Sequence, residues 1–262
     1  MSSVLEQILA AKRLEVAERR RSQPNEVVIE QAQRASAAKD FIGALRSERP
    51  AIIAEIKRAS PSKGDILPNL DPIAVARDYR VAGAAALSIL TDRHFKGTLE
   101  DLRTVREAID LPILRKDFMF DPYQVYEARA AGADCILLIA AMLPEREIHA
   151  LAAIADELKM ASLVEVHNRE EFDLAQRMKA RLIGINNRDL HTFRTSLTTT
   201  EELLRDYAGD ALIVAESGIN SASDIGRLAK AGARAFLIGE SLLREGQPQT
   251  NLAALINGFD GG

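Results

Sequence analysis

A chain of 262 residues with 47% hydrophobic side chains can bury a large core, either as two ordinary domains or as one (β/α)8 barrel of about 250 residues. Its 34 basic and 38 acidic residues give a formal charge of −4 and are spread along the chain, which excludes a basic face for nucleic acid or an anionic membrane. The single cysteine, Cys135, excludes an intramolecular disulfide; the longest apolar run, CILLIAAML, is far short of the ~20 residues of a membrane span, and the charged N-terminus lacks a signal-peptide core.

The expected location is therefore the cytoplasm and the expected partner a small molecule. Residues 1–50 read as helical. Ser3 and Glu6 have capping-box spacing ahead of the stripe Leu5, Ile8, Leu9 and Val16; a second helix is predicted over NEVVIEQAQ and a third from Lys39 to Arg46. No Gly/Ser/Pro linker precedes residue 51, so this segment is expected to pack as an extension of one domain covering residues 1–262.

From residue 51 onward, short apolar runs alternate with longer amphipathic stretches. The runs are AIIAEIK (51–57), AALSIL (85–90), PILRK (112–116), DCILLIA (134–140), SLVEV (162–166), LIGIN (182–186), LIVAE (212–216) and AFLIG (235–239). Asp71-Pro72 and Asp121-Pro122 open helices, and Gly83, Gly132 and Gly232 follow the ends of three. VAGAAALSIL, AAGADCILLIA and KAGARAFLIG repeat one pattern of helix end, glycine and strand. Eight such units predict an α/β fold, a (β/α)8 TIM barrel with an N-terminal helical extension. The competing doubly wound sheet usually needs fewer strands, and no G-x-G-x-x-G follows the first run.

In such a barrel the active site lies at the carboxyl ends of the strands. The first run ends in Glu55 and Lys57, which are two apart and so point the same way. Lys116 ends the third run, Glu165 lies in the fifth, Asn186 ends the sixth with Arg188 just beyond, and Glu216 and Ser217 end the seventh. One charged strand end is ordinarily solvated rim, whereas five together read as a site for acid–base chemistry. Ser217-Gly218 and Gly239 follow the last two strands as an anion cradle would, although either glycine alone reads equally well as a tight turn. His94, His149, His167 and His191 show no metal-ligand spacing and read as surface or structural residues. Cys135 reads as a small buried hydrophobe.

EIKRASPSKG, LTDRHFKG, LRKDFM, LVEVH, LIGINNRDL, AESGI and FLIGESL, in this order on consecutive strand ends, resemble the indole-3-glycerol-phosphate synthase family. The resemblance covers residues 1–258. It implies a cofactor-free lyase of tryptophan biosynthesis that converts 1-(2-carboxyphenylamino)-1-deoxyribulose 5-phosphate into indole-3-glycerol phosphate, releasing carbon dioxide and water. It matches Lys116 to the general acid and places Lys57 and Glu165 in the dehydration, with Glu55 a nearby carboxylate whose share stays open. Ser60, Asn186, Arg188 and Glu216 match substrate-orienting groups, and Phe95, Phe118 and Leu137 the anthranilate pocket. Ser217, Gly218, Gly239 and Glu240 match the phosphate site.

Glu240 departs from the pattern, since relatives often carry serine there. Only its backbone N–H carries over, and its carboxylate, which a dianion would repel, is expected to point away. A Schiff-base phosphosugar aldolase using Lys57 or Lys116 and a non-catalytic phosphosugar-binding barrel stay open as alternatives. No metal is implied, and a monomer is the expected state.

Overall fold

The computed structural model describes residues 4–47, 49–60, 64–190 and 192–259. Three helices come first: α1 (Val4–Ser22), α2 (Asn25–Arg34) and α3 (Phe41–Ala44). The capping box expected at the start of α1 rests on Ser3, which lies outside the described residues. The third helix is shorter than predicted at both ends. Asp40 caps it by accepting the Gly43 N–H at 2.8 Å, and the Lys39 N–H goes to Asp134 at 2.8 Å instead.

Eight parallel strands then close into a barrel in chain order: β1 (Ala51–Ile56), β2 (Ala86–Leu90), β3 (Ile113–Lys116), β4 (Cys135–Ile139), β5 (Ala161–Val166), β6 (Leu182–Asn186), β7 (Leu212–Glu216) and β8 (Ala235–Ile238). β8 pairs back onto β1, with Ala51 opposite Ala235. The helices that follow the strands are α4 (Pro72–Ala82), α5 (Leu99–Ala108), α6 (Pro122–Ala130), α7 (Glu145–Glu157), α8 (Arg169–Arg177), α9 (Thr198–Leu204), α10 (Ala222–Ala231) and α11 (Pro248–Asn257). The expected punctuation is in place. Asp71 and Asp121 cap helices that begin with proline, and Gly83 and Gly232 are left-handed helix ends.

Strands covered on both faces need apolar side chains in both directions, which is why the runs read as continuous. One set, including Ile52, Ala54, Leu87 and Ile136, packs outward against the helices. The other set, including Ile53, Leu114, Leu163, Val214 and Leu237, fills the interior. Phe41 and Leu45 join that inner set beside Ala51, Leu182 and Leu212 at the strand starts, so α3 plugs the N-terminal end of the barrel.

α1 is anchored near the opposite end. Its Lys12, 1% exposed, places Nζ 2.6 Å from Asp92 and 2.9 Å from Asp117, the residues just past β2 and β3, and 3.1 Å from Glu15. Further along, Arg19 and Arg20 of α1 pair with Glu127 of α6 and with Asp121, its cap.

Candidate active site

The inner set decides where the strand-end residues point. Ile53, Leu114, Leu163 and Val214 face inward, so Glu55, Lys116, Glu165 and Glu216, each two residues further on, face the same way. Their side chains meet in a cavity of about 430 Å³ at the carboxyl ends of the strands. Its wall holds all fifteen residues singled out from the sequence: Glu55, Lys57, Ser60, Phe95, Lys116, Phe118, Leu137, Glu165, Asn186, Arg188, Glu216, Ser217, Gly218, Gly239 and Glu240. Ser60 reaches the wall from a two-residue ladder, Ala59–Ser60 against Gly64–Asp65, that the apolar runs did not reveal.

At the centre Lys116 Nζ donates to Glu165 Oε2 and, at 3.0 Å, to Glu216 Oε2. Asn186 Nδ2 donates to Glu165 Oε1 at 3.2 Å, and Lys57 Nζ donates to Glu55 Oε1 at 2.6 Å. Burial opposes the charge on Lys116, but Glu165, Glu216 and Glu55 together outweigh it and raise its pKa. Burial likewise favours neutral Glu165, yet Lys116 and His167 overcome it and hold this carboxyl well below the ordinary range. Glu216 goes the other way. Burial, reinforced by the Glu165 charge and only partly offset by Lys116, pushes it up to about 8. Two carboxylates sharing one ammonium thus divide into an anion and a group that holds a proton at neutral pH.

Glycine makes room for this cluster at two points. A Cβ on Gly239 would stand 2.5 Å from Glu55 Oε1 and 3.1 Å from Lys57 Nζ, and one on Gly184 would collide with Glu216 Oε1.

Around the cluster the wall divides in two. One side is apolar: Phe95 and Phe118, with ring centroids 6.5 Å apart, and Leu137. The other carries Ser217 and Gly218, both with positive φ (63° and 80°), then Gly239, Glu240 and Arg188. Glu240 lines the cavity and places Oε2 3.9 Å from Arg188 Nη2.

Several wall residues were not singled out from the sequence. Ile8 reaches the apolar side from α1, Leu190, Phe193 and Thr195 come from the loop after β6, and Arg244 comes from the loop after β8. Ile8 read only as part of a helical stripe, and loop residues carry no periodic signal. His167 is the clearest omission. Its side chain is only 8% exposed, with Nε2 3.3 Å from Glu165 Oε1 and Nδ1 3.1 Å from Glu171 Oε2. Its position two residues after Glu165 was the signal, because strand parity puts both on one face. His94 pairs with Asp92, exposed His149 lies 3.9 Å from Glu145, and His191 lies outside the described residues. Among the described residues no group of three or more His, Cys, Asp or Glu is placed to hold a metal ion. Cys135 lies fully buried in β4, where burial pushes its thiol well up.

A closed (β/α)8 barrel whose mouth gathers lysines and carboxylates, beside the glycines that follow its last two strands, has the make-up of a barrel enzyme's active site for acid–base chemistry on a small molecule. Residues 5–255 match the family model described as indole-3-glycerol phosphate synthase. An indole-3-glycerol phosphate synthase from Polaromonas sp. strain JS666 is 47% identical over 260 residues, covering 97% of this chain and 98% of the relative. One from Dechloromonas aromatica strain RCB is 49% identical over 260 residues, covering 97% and 99%. Among solved structures, 3-hexulose-6-phosphate synthase from Salmonella typhimurium shares the fold with a TM-score of 0.65 at 11% identity, covering 80% of this chain and 98% of that one. The chain belongs to the indole-3-glycerol phosphate synthase family, and it is an enzyme of the carboxy-lyase class which that family forms.

Proposed function

We propose that the chain closes the indole ring of 1-(2-carboxyphenylamino)-1-deoxyribulose 5-phosphate, with the residue roles that follow. The observation that carries this reading is Lys116 held between Glu165 and Glu216 at the floor of a cavity that is apolar on one side and lined on the other by Ser217, Gly218, Gly239 and Arg188. The aryl group fits against Phe95, Phe118 and Leu137. The phosphate fits the backbone of Ser217, Gly218, Gly239 and Glu240, with Arg188 beside it. Ser60, Asn186 and the proton-bearing Glu216 orient what lies between.

The aromatic carbon bearing the carboxylate attacks the C2 carbonyl, and Lys116 protonates the carbonyl oxygen as the carbon–carbon bond forms. Loss of carbon dioxide returns an electron pair to the ring and restores aromaticity. The hydroxyl then leaves as water with a proton from Lys57, and Glu165 removes a proton from the former C1 carbon to complete the double bond. Glu55, bonded to Lys57, holds the second acid in place.

The aldolase alternative needs a neutral lysine as nucleophile. Lys116 has its pKa raised by three carboxylates, and Lys57 is ion-paired, so both are poorly suited to that task. The same reading takes the chain as one domain acting as a monomer in the cytoplasm, without nucleic-acid or membrane partners. In its support, α1 is ion-paired onto the barrel, and no helix among the described residues is long and apolar enough to cross a membrane.

Purified protein supplied with the carboxyphenylamino substrate is expected to produce indole fluorescence. Lys116→Met should lower kcat by at least ~10²-fold in a folded protein and accumulate only unreacted substrate. Glu165→Gln should instead accumulate a ring-closed, decarboxylated species in single turnover. Near-parent kcat in Lys116→Met would remove the acid role from this lysine, and substrate-dependent borohydride trapping would favour the aldolase.

A further inference from the structure

We propose that His167 is a positioning residue for this reaction: clamped from outside by Glu171, its ring fixes the orientation and the ionised form of Glu165. The inference rests on the reading that Glu165 takes part in the chemistry. Glu171 Oε2 accepts both the His167 backbone N–H at 2.8 Å and, at 3.1 Å, the ring at Nδ1, while Asn168 Nδ2 donates to Glu171 Oε1 at 2.6 Å. The ring is thereby held from behind with Nε2 turned to Glu165 Oε1 at 3.3 Å.

A plain helix cap is the bland account, because Asn168 and Glu171 do cap α8. Such a cap needs Asn168, Glu171 and backbone N–H groups. Nothing in it requires an imidazole aimed at a carboxylate in the barrel mouth.

The ring's role follows from the charges around it. Glu165 from β5 and Glu171 from α8 face the imidazole, and Lys116 from β3, Glu216 from β7 and His167 itself face Glu165. Glu171, His167, Glu165 and Lys116 thus form a row of alternating sign. Burial disfavours the imidazolium, but the two carboxylates raise its pKa to about 9, so the ring is cationic at neutral pH. When Lys116 gives its proton to the carbonyl oxygen, Glu165 loses its main counter-charge. His167 is then the cation that keeps it an anion, ready to act as the base of the last step.

The test is the pH profile of kcat in His167→Gln, which reports groups of the enzyme–substrate complex. Protonation of Glu165 sets the acid limb, and loss of a neighbouring cation makes that protonation easier, so the limb is expected to move up by about one unit. The value of kcat at neutral pH should fall by about 10-fold or more. KM should stay within about twofold, because the ring does not line the cavity. A purely structural role would lower the melting temperature without moving the limb.

Glu171→Gln gives a second readout should His167→Gln not fold, since the amide oxygen still accepts the backbone N–H; its acid limb should also move up, by less. An unaltered profile in the folded variant, with Glu165→Gln inactive, would overturn the positioning role alone. Full activity in Glu165→Gln would instead overturn the assignment of Glu165 on which it rests.

Discussion

Gly184 shows how closely single residues govern this site. It sits in β6 opposite Glu165 on one side and Val214 on the other, and its missing side chain is the space that Glu216 Oε1 occupies. Glu216 is 1% exposed, so the carboxylate can move only into the cavity it lines. Gly184→Ala is therefore expected to push Glu216 off Lys116, lowering kcat by on the order of 10²-fold through misplacement while costing about 1–3 kcal/mol of stability through overpacking. Steady-state kinetics and a denaturant melt on one preparation check both, and an unchanged kcat would mean that the Glu216–Lys116 contact is dispensable. At this scale the sequence was legible wherever strand parity alone decides direction, as for Glu55, Lys116, Glu165 and Glu216. It was not legible where a partner from another element decides. Glu240 Oε2 lies 3.9 Å from Arg188 of another loop, and the His167 ring is held by Glu171 on a helix.

α1 raises the same point for a whole element. Its buried face carries Ile8, Lys12, Glu15 and Val16, so two charges sit where a stripe ordinarily holds apolar side chains. The sequence predicted the helix and, of its stripe, buried Ile8 and Val16, with Leu9 half-buried and the Leu5 side chain outside the described residues; it did not predict Lys12, because charged residues are almost never fully buried unless paired, and the partners, Asp92 and Asp117, lie 80 and more residues away. Those partners hold the two loops that carry Phe95 and Phe118. Asp92 accepts the His94 N–H at 2.8 Å in the short turn that carries Phe95, and Asp117 accepts the Phe118 N–H at 2.9 Å. Lys12→Met is thus expected to cost about 3–5 kcal/mol by taking the ammonium from Asp92 and leaving Asp117 with Arg115 alone. Burial favours neutral Asp117, but Arg115 and Lys12 outweigh it and hold the group down to about 2. A depressed carboxyl stabilises the fold above its unfolded pKa, and that stability is lost as pH falls through the folded value. The gap between variant and parent should therefore be widest near neutrality and narrow below about pH 4, where unfolded Asp takes up its proton. A gap independent of pH would show that lost packing, rather than lost charge, causes the damage.

For the molecule as a whole, the repeat of eight apolar runs was enough to predict a closed barrel, since eight similar units leave little other way to bury both faces of every strand. The dependence of the mouth on the N-terminal extension was less visible. None of the eight barrel pairings involves α1, so a chain beginning at Pro24 is expected to keep the barrel and its far-ultraviolet circular dichroism. It would lose Ile8 from the cavity wall and Lys12 from between the loops of Phe95 and Phe118. Removing one apolar wall residue forfeits roughly 1.5 kcal/mol of aryl burial, about tenfold in affinity, before any movement of the two aromatic loops is added. KM should therefore rise by at least that factor and the melting temperature should drop, while kcat at saturation falls less, because Lys57, Lys116 and Glu165 all stand on or beside barrel strands. Steady-state kinetics beside a thermal melt of the shortened and full-length chains decide the matter: equal KM and equal melting temperature would make α1 a dispensable appendage, and a kcat loss as large as the KM rise would mean that the helix also holds the catalytic cluster in register.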